Sequence, residues 1–256
     1  MKNFQQGTKI AALGLAAALA LAGCASGAGD SPAASNPAAG GSFDFYAAAS
    51  LTDVAPNLVD AYNAGHDPDI NVSLNFGASS KLVGQINGGE KPGVLITADT
   101  QSIKALERPA EFNREADVAA NNLVLVVPAD SGITTVQDLA KAKTLAVCAP
   151  AVPCGRAANK YLATQKDLAA QMSEEADVRS VLTKVTSGQV DAGFVYATDA
   201  ASAGDTVRGI ALTGLAPNLY PLLVNKEADA AARDFAAWLH TEAAQDVLKK
   251  AGFDTP

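Results

Sequence analysis

Short apolar runs alternate with amphipathic stretches along most of the chain, from residue 43 onward. Apolar runs of four to eight residues are typical of buried strands, and apolar residues spaced three and four apart are typical of helices. The pattern predicts strands at residues 43–48, 70–76, 94–97, 123–128, 144–149, 193–196, 208–212 and 220–224. It predicts helices at residues 53–64, 80–87, 100–107, 155–164, 178–187 and, in two pieces, 229–250.

Strands that alternate with helices indicate an α/β fold with parallel sheets. The alternation falls into two blocks, which predicts two lobes, each a mainly parallel sheet flanked by helices. Residues 43–122 and 224–256 form the first predicted lobe, and residues 123–223 form the second. The chain would cross between the lobes at residues 122–123 and again at residues 220–224, where we expect a hinge.

The N-terminal region predicts export. Lys2 and Lys9 accompany an apolar run at residues 10–21, which is too short to span a membrane and fits a signal peptide covering residues 1–23. Leu21-Ala22-Gly23-Cys24 resembles the lipobox of bacterial lipoproteins, in which the cysteine carries the lipid. The alternative is an ordinary cleaved signal peptide in which Cys24 is incidental. With the lipobox, the protein would be anchored on the extracytoplasmic face of the cell membrane.

Residues 24–42 are rich in Gly, Ala, Ser and Pro and contain almost no large apolar side chain. Such a segment buries too little surface to offset the entropy lost on ordering. We therefore expect a flexible tether between Cys24 and a folded part that starts near Phe43.

Charge and composition exclude several classes of protein. The 27 acidic and 19 basic residues give a formal net charge of −8, which argues against a nucleic-acid partner. With 2 His and 3 Cys, a bound metal cation is not expected. The serine-hydrolase elbow, the Walker A loop and the dinucleotide-binding turn are absent, and His66 and His240 fall outside the strand ends. We therefore expect neither an enzyme nor a cofactor.

The junctions between strands and helices carry the candidate chemistry. Ser50, Ser79 and Cys154 follow predicted strands and precede or open predicted helices, and Asp177 is placed to cap a helix that begins at Val178. Ligands of open α/β sheets bind beyond the carboxyl ends of the strands, where the unpaired N–H groups of helix starts favour anions. Taken singly, the serines also fit plain helix caps, and Val178 and Tyr196 fit packing residues.

Taken together, these segments resemble the molybdate-binding proteins, which are the receptors of molybdate ABC transporters. The resemblance starts with Phe45-Tyr46-Ala47-Ala48-Ala49-Ser50-Leu51-Thr52-Asp53 and Phe76-Gly77-Ala78-Ser79-Ser80-Lys81-Leu82. It continues through residues 95–99, 122–128, 152–156, 177–179, 193–200 and 251–253. It implies a two-lobed, type II periplasmic-binding-protein fold. It also implies a monomeric receptor that binds molybdate, and with it tungstate, and delivers the anion to the permease of an ABC importer.

The resemblance also implies the ligand set. Ser50 and Ser79 would bind the oxyanion through Oγ and N–H, Cys154 and Val178 through N–H, and Tyr196 through its phenolic O–H. Such a site contains only donors, which suits a fully ionised anion better than phosphate, which keeps a proton near neutral pH. Sulfate remains the alternative ligand, and a lipoprotein adhesin or structural module remains the alternative class.

Three cations and two acids lie near these motifs. We expect Lys81, Arg156 and Arg179 to face solvent or pair with carboxylates rather than bind the anion. Asp53 and Asp99 are expected to cap helices or to lie in their first turns.

Cys154 stands where the resembled family usually has Ala. Because Cys148 lies six residues earlier and the chain is expected to be exported, we predict a Cys148–Cys154 disulfide that fixes the loop donating the Cys154 N–H. The alternative is two reduced cysteines that pack as small apolar residues.

Overall fold

The computed structural model describes residues 41–66, 70–165 and 170–256. The predicted signal peptide, Cys24 and nearly all of the predicted tether lie outside these residues. Among the described helices, none combines the length and the apolar character needed to cross a membrane.

Within the described residues the chain forms strands and helices that mostly alternate. The strands are β1 Ser42–Ala48, β2 Asn71–Gly77, β3 Val94–Ile96, β4 Phe112–Asn121, β5 Leu123–Pro128, β6 Thr144–Cys148, β7 Gln171–Glu175, β8 Ala192–Tyr196, β9 Val207–Ala211 and β10 Asn218–Asn225. The α-helices are α1 Ala55–Gly65, α2 Ser79–Asn87, α3 Thr100–Ile103, α4 Pro153–Leu162, α5 Val178–Thr186, α6 Ala197–Ser202, α7 Ala230–Trp238 and α8 Glu242–Lys250.

These strands form two five-stranded sheets, one in each lobe. The first has the order β2-β1-β3-β10-β4 and the second β7-β6-β8-β5-β9. In each sheet the first three strands run parallel and the last two pair antiparallel. The sheets are therefore mixed, with the parallel pairings confined to the first three strands of each.

The second crossing between the lobes comes earlier than the sequence predicts. The first crossing is at Asn122, between β4 and β5, as expected. Strand β10 pairs with β3 and β4 in the first sheet, so the return to the first lobe lies between β9 and β10, at residues 212–217. The predicted boundary at residue 223 is wrong, because residues 220–224 are an interior part of the first sheet. Leu222 and Leu223, at most 4% exposed, pack there.

Helix starts place backbone N–H groups at the ends of the parallel strands. Helix α4 begins with Pro153, which is suited to a first turn because it has no N–H to leave unpaired. Helix α5 begins after Asp177, whose carboxylate accepts a hydrogen bond from the N–H of Ser180. Because parallel strands of one sheet end at the same edge, these starts meet on one side of each sheet.

Candidate functional site

The structure brings all five predicted site residues to one cavity between the lobes. Ser50 and Ser79 line it from the first lobe, and Cys154, Val178 and Tyr196 line it from the second. Each of the five is at most 5% exposed. The cavity volume is about 10 Å³, room for a single water-sized group. The remaining lining consists mostly of small apolar side chains: Ala48, Ala49, Ala78, Ala98, Val152 and Pro153.

Ser79 is not a helix cap. It is the first residue of α2, and its Oγ accepts a hydrogen bond from the N–H of Ala98 at 2.9 Å. A hydroxyl has a single proton, and the bond to Ala98 leaves that proton free. The first intrahelical bonds of α2 are those of Lys81 and Leu82 to the carbonyl of Ala78, so the N–H of Ser79 has no partner within the helix.

Ser50 is not a cap either. It lies in the short 3-10 helix Ala49–Leu51, and its Oγ is 2.7 Å from the hydroxyl of Tyr220 on β10. Asn121, at the end of β4, donates from Nδ2 to Tyr220 at 3.4 Å and to Thr198 at 2.8 Å. Sequence patterns miss Tyr220 and Asn121, because the pairing of Ser50 with a residue 170 positions later leaves no local signal.

Two helix starts supply N–H groups from the second lobe. In α4 the first intrahelical bond runs from Arg156 to Val152, and in α5 from Val181 to Asp177. The N–H groups of Cys154 and Val178 precede those bonds and have no partner within their helices. At Gly155 a Cβ atom would lie 2.0 Å from the carbonyl oxygen of Ala149, so only glycine allows this close approach of the loop to the helix.

Tyr196 contributes a buried hydroxyl without a partner. Its oxygen accepts or donates no hydrogen bond among the described residues, and the residue is 1% exposed. Burial raises the pKa of Tyr196 well above its usual value, so the hydroxyl stays protonated. Its backbone N–H donates to the buried carboxylate of Asp199 at 3.2 Å. A buried polar group without a partner is costly, so this hydroxyl is a candidate for binding a ligand.

Asp177 is the one acid among the lining residues. Its Oδ1 accepts hydrogen bonds from the N–H of Ser180 at 2.9 Å and from the hydroxyl of Ser180 at 3.1 Å. That carboxylate oxygen is therefore engaged in capping α5. Across the described parts of the chain, no cluster of three or more His, Cys, Asp or Glu side chains could hold a metal cation.

Two ion pairs join the lobes beside the cavity. Arg156 of α4 binds Asp99 with Nη2 at 2.7 Å and Nε at 2.8 Å, and it also donates to Ser102 at 2.8 Å. Arg179 of α5 binds Asp53 at 2.7 Å. Both arginines thus pair with carboxylates, as the sequence predicts, and the exposed Lys81 lies outside the cavity lining.

The two acids differ in their local roles. Asp99 caps α3 by accepting the N–H of Ser102 at 2.8 Å, as expected. Asp53 does not cap α1, because that helix begins at Ala55 after Val54, and the expected helix start at residue 53 is wrong. Its carboxylate serves the pair with Arg179 instead.

Cys148 and Cys154 form a disulfide with their Cα atoms 5.7 Å apart. The bond ties the end of β6 to the first turn of α4, on either side of the loop at residues 149–153. Both cysteines are at most 4% exposed. The disulfide therefore fixes the position of the N–H that Cys154 presents to the cavity.

Comparison with known proteins identifies the family. Residues 43–254 match the model of a family described as bacterial extracellular solute-binding protein. The chain is 32% identical to the molybdate-binding protein ModA of Mycobacterium tuberculosis, over 95% of this chain and 97% of that relative.

Solved structures show the same fold. The periplasmic molybdate-binding protein of Azotobacter vinelandii has a TM-score of 0.72 at 22% identity, covering 83% of this chain and 99% of that one. The sulfate-binding protein SubI of Mycobacterium tuberculosis has a TM-score of 0.71 at 17% identity, covering 84% and 87%. The matched proteins are receptors and not enzymes. The chain belongs to the family of bacterial extracellular solute-binding proteins, and it is related over nearly its whole length to a molybdate-binding protein.

Proposed function

We propose that this protein is the extracytoplasmic receptor of a molybdate ABC importer and that it binds molybdate, and tungstate equally well, in the cavity between its lobes. The ligands are the hydroxyls of Ser50, Ser79 and Tyr196 and the N–H groups of Ser50, Ser79, Cys154 and Val178. The bound anion is the cargo that the receptor delivers to the permease, and no further cofactor takes part.

The observation that carries the proposal is the buried hydroxyl of Tyr196, which has no partner among the described residues and shares its cavity with two serines. The hydroxyls come from both lobes, and helix starts add N–H groups around them. Helix starts favour negative charge, and hydrogen bonds to a charged acceptor are about twice as strong as neutral ones. A doubly charged oxyanion uses every one of these donors.

Lobe closure accounts for the size of the cavity. A tetrahedral oxyanion has four oxygens around its central atom, whereas the cavity of about 10 Å³ holds one water-sized group. The lobes must separate to admit the anion, and they then close around it to leave a wider cavity than the present one. The Arg156–Asp99 and Arg179–Asp53 pairs join the lobes only when they are close together, so they favour the closed form. X-ray scattering with and without saturating molybdate tests closure, and an unchanged radius of gyration would contradict it.

Sulfate is the second candidate ligand, since it is also fully ionised near neutral pH. The fold does not separate the two, because the molybdate-binding and sulfate-binding structures have nearly equal TM-scores. The sequence favours molybdate, since the 32% identity to a molybdate-binding protein extends over 95% of the chain.

The membrane attachment is part of the proposal. Cys24 carries a lipid, residues 24–42 form a tether, and the folded part works as a monomer facing the permease. Membrane fractionation of the native chain beside a Cys24→Ala variant tests the anchor. Release of the variant supports it, and equal retention of both chains would contradict it.

Thermal unfolding tests the proposed function directly. A ligand at 1,000 times its dissociation constant stabilises the folded state by about 4 kcal/mol. Millimolar molybdate or tungstate should therefore raise the melting temperature by many degrees, while chloride at the same ionic strength should not. A molybdate effect no larger than that of chloride would refute the receptor function.

A further inference from the structure

The hydroxyl of Ser50 belongs to a chain of buried polar groups that reaches from β4 to the cavity. Asn121, Tyr220 and Ser50 follow one another at 3.4 Å and 2.7 Å, and they are 1%, 0% and 5% exposed. Asn121 and Tyr220 are absent from the cavity lining, so their hydrogen bonds reach the cavity through Ser50. The direction in which the protons point along this chain decides what Ser50 offers to the anion.

The amide of Asn121 fixes the proton direction at one end of this chain of hydrogen bonds. Its Nδ2 has two protons and two oxygen partners, Thr198 at 2.8 Å and Tyr220 at 3.4 Å, while its Oδ1 is buried with no partner among the described residues. Turning the amide over would leave two buried N–H protons without partners instead of one oxygen. Unpaired buried N–H groups are rarer than unpaired carbonyl oxygens, so the observed orientation is the favoured one.

The hydroxyl of Tyr220 then donates its proton to Ser50. Its oxygen accepts from Asn121, and the oxygen of Ser50, 2.7 Å away, accepts the single proton of Tyr220. Burial raises the pKa of Tyr220, so the phenol stays protonated across the physiological range. The ring is held in place by edge-on contacts with Phe253 at 5.4 Å and Tyr196 at 6.2 Å.

We propose that Asn121 and Tyr220 form a directional hydrogen-bond relay that makes Ser50 a donor to the ligand and thereby selects fully ionised oxyanions over oxyanions that carry a proton. The Ser50 oxygen accepts from Tyr220 with one of its two lone pairs, and its single proton is left for the cavity. Ser79 is arranged in the same way by the N–H of Ala98. A ligand P–OH or similar group would meet a proton where it needs an acceptor. Tyr220 is a positioning residue for specificity, and the inference rests on the proposed function.

Proton NMR of the ligand-free protein tests the direction of the relay. The hydroxyl proton of Tyr220, assigned by its loss in Tyr220→Phe, should move upfield in Ser50→Ala because its acceptor is gone. If the relay ran the other way, Tyr220 would donate to Asn121, and the resonance would stay in Ser50→Ala and move in Asn121→Ala. That result would overturn the proposal whether or not the protein binds any oxyanion.

Calorimetry with molybdate, sulfate and phosphate between pH 6 and 8 tests the consequence for specificity. Tyr220→Phe keeps the ring but removes the donor that orients the Ser50 hydroxyl, so that Ser50 can turn its proton away from the cavity and accept there. We expect it to weaken the binding of molybdate and sulfate by about 5- to 20-fold and the binding of phosphate much less. Discrimination against phosphate should therefore fall at least severalfold. Tyr161→Phe, a buried tyrosine outside the cavity, is the control and should change none of the three.

The outcomes separate the relay from the proposed function. An equal loss for all three anions in Tyr220→Phe would mean a purely structural role and would overturn the relay. Unchanged binding would overturn it too. If the native protein bound none of the three anions, the proposed function would fail, and the NMR result would still decide the direction of the relay.

Discussion

The guanidinium of Arg156 lies 2.7 Å from the carboxylate of Asp99, and the two residues belong to different lobes. The side chains are 29% and 16% exposed, so the pair is partly shielded from solvent. Both side chains also bond to Ser102 of α3: Arg156 donates to its hydroxyl, and Asp99 accepts from its N–H. Arg156 also donates to the carbonyl of Ala151, in the loop that the disulfide closes. The ion pair, the α3 cap and the disulfide loop therefore lie in one small region next to the proposed binding cavity.

A double-mutant cycle tests whether the pair contributes to binding. Arg156→Gln should raise the dissociation constant for molybdate severalfold and speed release, because the closed form loses an inter-lobe contact. Asp99→Asn keeps an acceptor for the α3 cap and should have a similar effect. The coupling between the two changes should be about 0.5–1 kcal/mol.

The Lys91–Glu227 pair provides a matched control, since both residues belong to the first lobe and are 3.3 Å apart. Lys91→Gln and Glu227→Gln should leave molybdate binding unchanged. Zero coupling between Arg156 and Asp99 in the same measurement would show that the inter-lobe pair plays no part in closure.

Tyr196→Phe should change stability and affinity in opposite directions. The substitution removes a buried hydroxyl that has no partner in the described structure, so the free energy of unfolding without ligand should rise by about 1 kcal/mol. Molybdate affinity should fall at least tenfold, because a donor to a charged ligand is lost. Denaturant unfolding and calorimetry on the same samples measure both quantities.

Tyr62→Phe should show the reverse pattern. Its hydroxyl donates to Asp234 at 2.8 Å in the first lobe, away from the cavity, so its loss should lower stability and leave affinity unchanged. If Tyr196→Phe behaved like Tyr62→Phe, the hydroxyl of Tyr196 would not be a ligand.

Ser79→Ala should cost about 1.5–3 kcal/mol of binding free energy, because its proton is left free by the bond from Ala98. Ser80→Ala, on the next residue of α2 and outside the cavity lining, is the control and should bind as the native protein does. Titration calorimetry compares the two. Equal affinities for both variants would remove Ser79 from the site.

Loss of the Cys148–Cys154 disulfide should affect folding and binding together. Replacing both cysteines with Ala should lower the free energy of unfolding by about 2 kcal/mol, since the bond closes a short loop. Molybdate affinity should fall as well, because the N–H of residue 154 is less well positioned. Thiol titration of the native protein should gain two thiols on reduction, and no gain would show that the cysteines are already reduced.

The buried carboxyl of Asp199 should make stability depend on pH. Burial raises its pKa to about 7, although the guanidinium of Arg179, 3.4 Å away, lowers it. The folded protein thus holds this proton more tightly than the unfolded chain. The resulting stability is fully present below about pH 4 and is lost as the pH rises to about 7.

Asp199→Asn should therefore flatten the fall in unfolding free energy between pH 4 and 7. Asp191→Asn is the contrasting variant, since hydrogen bonds led by the N–H of Thr144 lower the pKa of Asp191. The native carboxylate of Asp191 contributes stability above about pH 4, which that variant loses. Parallel curves for the native protein and Asp199→Asn would contradict the raised pKa.

Sequence patterns predict the described strands except β4 and β7, and burial accounts for the difference. Strands β3, β6 and β8 are apolar runs that are buried along almost their whole length. No strand is predicted at β7 (QMSEE), because it is a mostly exposed edge strand without an apolar run. No strand is predicted at β4 either, because residues 113–116 are exposed and only the short stretch at residues 118–121 is continuously buried.

The candidate site divides in a similar way. Ser50, Ser79, Cys154, Val178 and Tyr196 stand at strand ends or helix starts, positions that the local pattern and the resemblance both indicate. Tyr220 lies inside a strand that pairs differently from the prediction, and its bond to Ser50 depends on the tertiary fold. The sequence does indicate that Arg156 and Arg179 pair with carboxylates. That their partners lie on the other lobe depends on the tertiary fold and leaves no local signal.

Competition calorimetry on the native protein, with molybdate, tungstate, sulfate and phosphate, tests the central claim most directly. The account predicts tight one-to-one binding of molybdate and tungstate with similar affinities, weaker binding of sulfate and the weakest binding of phosphate. Preferential binding of phosphate, or no binding of any oxyanion, would contradict a cavity that is lined by hydrogen-bond donors from both lobes.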